Sequence, residues 1–133
     1  MQTPTLSALD HLVLTVADID RTLAFYCDGL GMEAERFTVT DGTERLALKY
    51  GSQKINLHPA ESPFEPKALV ALPGTADLCF LSDTSVDIWI AHLEAIGLSV
   101  LDGPVPRTGA TGPLTSIYLR DPDGNLVEIS NAG

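Results

Sequence analysis

Asp10-His11-Leu12-Val13-Leu14-Thr15-Val16-Ala17-Asp18-Ile19-Asp20 decides the fold, because its pattern returns 66 residues later. At that offset His11 falls on Asp77, Leu14 on Phe80, Leu23 on Trp89, Leu30 on Ile96 and Gly31 on Gly97. Apolar positions coincide first with period 2 and then with period 3.6, so a strand followed by a helix occurs twice. Leu12, Leu14 and Val16 share one face of the first strand, and His11, Val13 and Thr15 share the other. Asp18 is the predicted N-cap, with Asp20 complementing the dipole in the first turn. Ile19, Leu23, Tyr26, Cys27 and Leu30 then recur at helical spacing, and Gly29 or Gly31 closes the helix. A polar residue able to bind a metal opens the strand in both copies.

Extended segments are predicted at 32–39 and 44–50 around the turn Asp41-Gly42, then at Lys54–His58. Ile55 and Leu57 face the core there, with Asn56 and His58 on the other side. Residues 59–76, carrying Pro59, Pro63, Pro66, Pro73 and Gly74, read as a linker. After Asp77–Ser82, Thr84 or Ser85 caps a helix whose stripe is Val86, Trp89, Ile90, Leu93 and Ile96. Trp89 belongs to that stripe, and His92 faces solvent. A short strand at 98–101 leads into a Gly/Pro-rich loop from Asp102 to Pro113. Ser116–Arg120 and Asn125–Ser130 then form a hairpin around Asp121-Pro122-Asp123-Gly124. Each module reads β-α-β-β-β, and Val127-Glu128-Ile129 mirrors Ile55-Asn56-Leu57. His11 and Asn56 in the first module match Asp77 and Glu128 in the second.

The 133 residues suit one domain, with module one at about 7–58, a linker at 59–76 and module two at about 77–131. A hydrophobic content of 44% leaves ample material for a core. A net charge of −10, with eight Lys and Arg scattered along the chain, excludes a basic groove for nucleic acid. No apolar run approaches the roughly 20 residues of a membrane span, and the N-terminal residues lack signal-peptide character. Cys27 and Cys79 fall at apolar-phase positions and read as buried free thiols, which fits a cytoplasmic protein.

Three segments carry a family resemblance: Leu9-Asp10-His11-Leu12-Val13-Leu14, Phe25-Tyr26-Cys27-Asp28-Gly29-Leu30-Gly31-Met32, and Arg120-Asp121-Pro122-Asp123-Gly124-Asn125-Leu126-Val127-Glu128-Ile129. Across residues 7–131 the chain resembles the vicinal oxygen chelate superfamily. That group includes glyoxalase I, the extradiol dioxygenases, and the fosfomycin- and bleomycin-resistance proteins. The resemblance implies an α+β fold of two tandem βαβββ modules forming a half-open, eight-stranded, barrel-like sheet. It implies a homodimer, and a divalent metal (Mn, Fe, Ni or Zn) that chelates neighbouring oxygens of a small substrate. Carried over position by position, the first-strand His is His11 and the last-strand Glu is Glu128. Asp77 stands where the family usually has a second His, and Asn56 where it commonly has Glu or Gln.

These departures bear on the chemistry. Asn56 cannot act as the base of a glyoxalase-type isomerisation. Extradiol cleavage uses two His and one carboxylate on Fe(II), and the missing imidazole would have to be His58. The set His11, Asp77 and Glu128 is harder and more oxygen-rich, favouring Mn²⁺, Fe²⁺ or Mg²⁺ over Zn²⁺. The expected site therefore has His11, Asp77 and Glu128 as metal ligands. Glu128 and His58 are its catalytic groups, His58 lying at a strand end open to water with a pKa near ~6.5. Asn56 and Arg107 bind an anionic substrate, Arg107 from a lid in the 103–113 loop. Arg120 braces the hairpin turn. Lyase or isomerase chemistry of the lactoylglutathione lyase type and ring-cleaving dioxygenase chemistry both remain open. The alternative is a metal-free, drug-sequestering protein of the bleomycin-resistance type. Against that alternative, only eight aromatic residues are present, and Phe25, Tyr26, Phe80 and Trp89 are assigned to the core.

Overall fold

A computed structural model describes residues 2–133. The eight strands fall into two four-stranded sheets with identical connectivity, each in its own compact unit. The boundary lies between Leu69 and Val70, inside the expected linker.

In the first unit, β1 (His11–Val16) pairs in parallel with β4 (Gln53–Pro59). Antiparallel β3 (Glu44–Tyr50) and β2 (Glu33–Thr38) complete the order β1-β4-β3-β2. One face carries Leu14, Val16, Leu48, Ile55 and Leu57, none more than 4% exposed. Asp18 caps α1 (Ile19–Leu23) by accepting from the Arg21 amide at 3.0 Å. The predicted helix continues as a wider π turn over Ala24–Gly29, in which Leu30 N–H reaches Phe25 O at 3.1 Å. That turn changes the phase of the stripe. Thr22, Phe25 and Tyr26 are buried, while Cys27 and Leu30 are half-buried.

The second unit repeats the plan. Here β5 (Asp77–Leu81) pairs in parallel with β8 (Leu126–Ala132), and antiparallel β7 (Pro113–Arg120) and β6 (Asp102–Thr108) follow. Ile117, Leu119, Val127 and Ile129 form the apolar face. Ser85 caps α2 (Val86–Ala95), which packs on β7 and β8 through buried Val86 and Leu93. Ile96 is 45% exposed and lies outside that contact. The Asp121–Asn125 turn is built around a buried carboxylate. Asp121 Oδ1 accepts from the Asp123 and Asn125 amides at 2.9 Å each, and Oδ2 from Asn125 Nδ2 at 2.7 Å. Arg120 Nη1 adds a long contact of 3.4 Å to Gly124 O, as the bracing role requires.

Two expectations are corrected here. Residues 98–101 form no strand, and the supposed loop from Asp102 is β6, leaving only 109–112 as a turn. Pro104 and Pro106 are tolerated because β6 is the edge strand, where a missing amide donor breaks no ladder. Gly103 permits the close approach: φ is +106°, and a Cβ there would lie 2.4 Å from Ser116 O.

Candidate functional site

The face of the first sheet opposite the core carries three ranks of side chains. Strand register places His11, Lys54, Lys49 and Glu33 in one rank, then Val13, Asn56, Ala47 and Glu35. In the third, Thr15 lies beside His58, Phe37 beside Arg45, and Arg45 stands one step beyond the Leu46–Leu57 pair. Three of the chain's eight Lys and Arg thus share one sheet face. Lys49 approaches Glu35 at 3.8 Å, whereas Lys54 lies over the Phe37 ring at 4.1 Å and Arg45 over the Phe64 ring at 3.6 Å.

His58 sits deeper than expected. It is 6% exposed, and Phe64 meets its ring edge-on at 5.1 Å. Burial, and then the positive charge of Arg45, hold its pKa below the usual imidazole range, so the ring is neutral at pH 7. The strand runs on to Pro59, and Phe64 folds back over the ring, which explains the lost access to water. Three buried polar atoms on this face have no hydrogen-bond partner: Arg45 Nε, Asn56 Oδ1 and His58 Nδ1.

His11 stands at the exposed end of the same face. Its Nδ1 is 2.8 Å from Asp10 Oδ1, an interaction that lowers the Asp10 pKa. The carboxylate fixes the ring and leaves Nε2 for another partner, the arrangement that orients metal-binding imidazoles.

The second sheet has equivalent ranks. Asp77 lies beside Leu126, Cys79 beside Glu128 and Leu81 beside Ser130, with Tyr118 and Ser116 next across from Glu128 and Ser130. Asn56 and Glu128 are equivalent in register, as are His11 and Asp77. The ranks also equate His58 with Ser130. Ser130 is fully engaged: its Oγ is 2.7 Å from Ser116 Oγ and 3.3 Å from Cys79 Sγ, and it donates to Glu128 Oε2 at 3.3 Å. This chain of hydroxyls restrains the Glu128 carboxylate.

Neither thiol is buried, since Cys27 is half-buried and Cys79 exposed. The apolar phase expected for Cys79 is corrected: it alternates with Leu78 and Phe80 and shares the polar face of β5 with Asp77, beside Glu128. Partial burial, with the negative charges of Glu128 and Asp77 opposing the hydrogen bond shared with Ser130, raises its pKa and keeps the thiol protonated. Arg107 belongs to β6 rather than to a lid, and its Nε donates to Tyr118 Oη at 2.8 Å. Its register partner Leu114 puts it on the same face as Tyr118 and Glu128. Among the described residues, no three or more His, Cys, Asp or Glu side chains form one metal-binding group. The expected donors divide between the units, His11 and Asn56 in the first, Asp77 and Glu128 in the second.

Sequence reasoning missed Arg45 and Phe64. The alternation Arg45, Ala47, Lys49 opposite Asn56 and His58 could have flagged the first. Nothing local flags Phe64, which comes from the linker.

A family profile for the Glyoxalase/Bleomycin resistance protein/Dioxygenase superfamily matches residues 8–129. The chain belongs to that superfamily. It is 53% identical over 122 residues to virulence protein STM3117 of Salmonella typhimurium strain LT2, covering 92% of this chain and 82% of that one. The crystal structure of that protein superposes with a TM-score of 0.90 at 49% identity, covering 98% of this chain and all of that one. Glyoxalase domain-containing protein RDO1 of Mycosarcoma maydis is 52% identical over 124 residues, covering 93% of this chain and 68% of that one. Lactoylglutathione lyase from Agrobacterium tumefaciens gives a TM-score of 0.70 at 27% identity, covering 96% of this chain and 95% of that one. Superfamily membership accounts for the duplicated βαβββ unit and the equivalent ranks. No helix among the described residues is long and apolar enough to cross a membrane.

Proposed function

We propose that this member of the superfamily is a divalent-metal-dependent enzyme acting on a small anionic substrate with neighbouring oxygens. The carrying observation is the imidazole of His11 held through Nδ1 by Asp10 at 2.8 Å. His11, Glu128 and Asp77 would hold the ion, and one nitrogen with two carboxylates is a donor set that Mn²⁺, Fe²⁺ or Mg²⁺ accepts. When bound, such an ion supplies Lewis-acid stabilisation of an oxyanion developing on the substrate.

The remaining tasks fall to side chains of the chain itself. Asp10 sets the His11 tautomer, and Ser130 fixes one oxygen of Glu128, leaving the other for proton transfer. Neutral His58 presents Nδ1 to the substrate without a competing charge. Asn56 offers an unused carbonyl oxygen, and Arg107, on the Glu128 face, offers guanidinium donors to an anionic group. Similarity to a lactoylglutathione lyase favours proton-transfer chemistry over ring cleavage. A homodimer goes with this reading, since Leu69 is fully exposed, Val70 is 64% and Leu72 58% exposed, and each sheet has open edge strands. A cytoplasmic location belongs to the same proposal.

Elemental analysis of protein purified without chelator tests the proposal. The expected result is about one divalent ion per chain in the wild type and loss of most of it in His11→Ala and Glu128→Ala. Stoichiometric metal retained by dialysed His11→Ala would overturn it. Sedimentation of the same samples reads the dimer, which a monomer at tens of micromolar would refute.

A further inference from the structure

The three unpartnered atoms of the first sheet face are more specific than a general anion site. Arg45 Nε–H is a donor with no acceptor, Asn56 Oδ1 is an acceptor with no donor, and His58 Nδ1 serves as either according to tautomer. A buried group left in this state is costly, and native proteins leave few of them. The equivalent positions of the second sheet prove the point by contrast. Ser130, which corresponds to His58, has Ser116, Cys79 and Glu128 as partners. The first sheet has the same backbone plan and leaves the corresponding polar atoms unused.

The missing complement is one acceptor group facing Arg45 and His58, with a donor beside it facing Asn56. A plain carboxylate or a phosphate monoester dianion supplies only acceptors, and Asn56 Oδ1 would repel it. A hydroxyl next to a carboxylate supplies both. We propose that Arg45, His58 and Asn56 form a recognition subsite for a small hydroxycarboxylate. The carboxylate accepts from Arg45 Nε and His58 Nδ1–H, and the adjacent hydroxyl donates to Asn56 Oδ1. Phe64 closes over both donors, 3.6 Å from the Arg45 guanidinium carbon and 5.1 Å from the His58 ring. It therefore moves when the subsite fills. Lys54, two residues before Asn56 on the same strand face, adds positive charge to the approach. This inference rests on the reading that the first sheet's polar face is the substrate side, and it requires no metal.

Metal-stripped protein dialysed against chelator provides the test, by NMR titration of side-chain N–H signals with glycolate, acetate and inorganic phosphate. Glycolate should move the Arg45 Nε–H signal and bind roughly several-fold more tightly than acetate, the difference due to the hydroxyl. Arg45→Met should weaken glycolate by roughly tenfold or more, because a charge-assisted contact is lost. Asn56→Leu should bind acetate at least as tightly as the wild type, because the repelling oxygen is gone, and erase the preference for glycolate. Asn56→Asp, close in shape, gives a second reading with an acceptor kept and a charge added, and it should weaken both carboxylates. Glycolate and acetate binding equally to the wild type, or neither moving Arg45 up to about 50 mM, would overturn the proposal. Phosphate binding more tightly than glycolate, unaffected by Asn56→Leu, would overturn it in favour of a phosphate site. Because the ion is absent throughout, failure here leaves metal content as a separate result, and loss of metal in His11→Ala leaves this titration unchanged.

Discussion

Replacing Arg45 by Met should stabilise the ligand-free protein. The guanidinium carries a buried Nε–H with no acceptor, and such a group costs roughly 1–3 kcal/mol. Set against this is the stacking of the cation on Phe64 at 3.6 Å, worth about 0.5–2 kcal/mol. Methionine keeps the aliphatic stem and restores part of that contact, since a thioether on an aromatic ring contributes roughly 0.3–1.5 kcal/mol. Loss of one positive charge from a chain of net charge −10 adds repulsion, largely screened at physiological salt. The balance is a gain of about 1 kcal/mol, or roughly 3–5 °C in Tm for a chain of this size. Arg36→Met is the control, because that arginine pairs with Glu44 on the surface and its loss should change stability by less than about 0.5 kcal/mol. Thermal unfolding followed by circular dichroism, with glycolate absent, reads both. A fall in Tm of more than a few degrees in Arg45→Met, with Arg36→Met unchanged, would refute the reasoning. Arg45 would then be a structural residue whose Nε is satisfied in solution.

Gly103→Ala should destabilise by about 2–4 kcal/mol, since φ is +106° and the new Cβ meets Ser116 O at 2.4 Å and Ile117 Cα at 2.9 Å. Gly124→Ala, with positive φ but nothing within 4 Å, should cost only about 1–2 kcal/mol, and equal urea midpoints for the two variants would contradict this. His58 predicts a pH dependence with a definite sign. Its folded pKa lies below the unfolded value, so the unfolded chain binds the proton first. The stability it contributes is complete above the ordinary imidazole pKa of about 6.5 and is lost as pH falls below it towards the folded pKa, by at most about 1.4 kcal/mol per pH unit. His58→Gln should remove that component. Identical slopes of stability against pH between 7 and 5 for wild type and variant would show the ring to be protonated alike in both states.

The alternation of Leu12, Leu14 and Val16 and its echo at Leu78 and Phe80 were enough to give two strand-helix units. Both sheets follow, because a side-chain period is a local property of the chain and survives into the fold. The same holds for the N-caps Asp18 and Ser85 and for the turn at Asp121, where each residue bonds its own neighbours. The equivalence of His11 with Asp77 and of Asn56 with Glu128 was also legible, through order and face. Other features required strands distant in sequence to be placed side by side. The segment 102–108 looks like a loop because Pro104 and Pro106 break any strand, and only its position at a sheet edge makes them harmless. Cys79, expected in the core, alternates with Leu78 and Phe80, and strand pairing sets it beside Glu128 on the polar face. His58 looks like the wet end of a strand until Phe64, from a stretch with no periodicity, covers it. Arg45 acquires its meaning only when β3 is laid against β4. Local chemistry fixes which face a residue occupies, whereas the partners across that face, and the polar atoms left without one, exist only once the sheet is assembled.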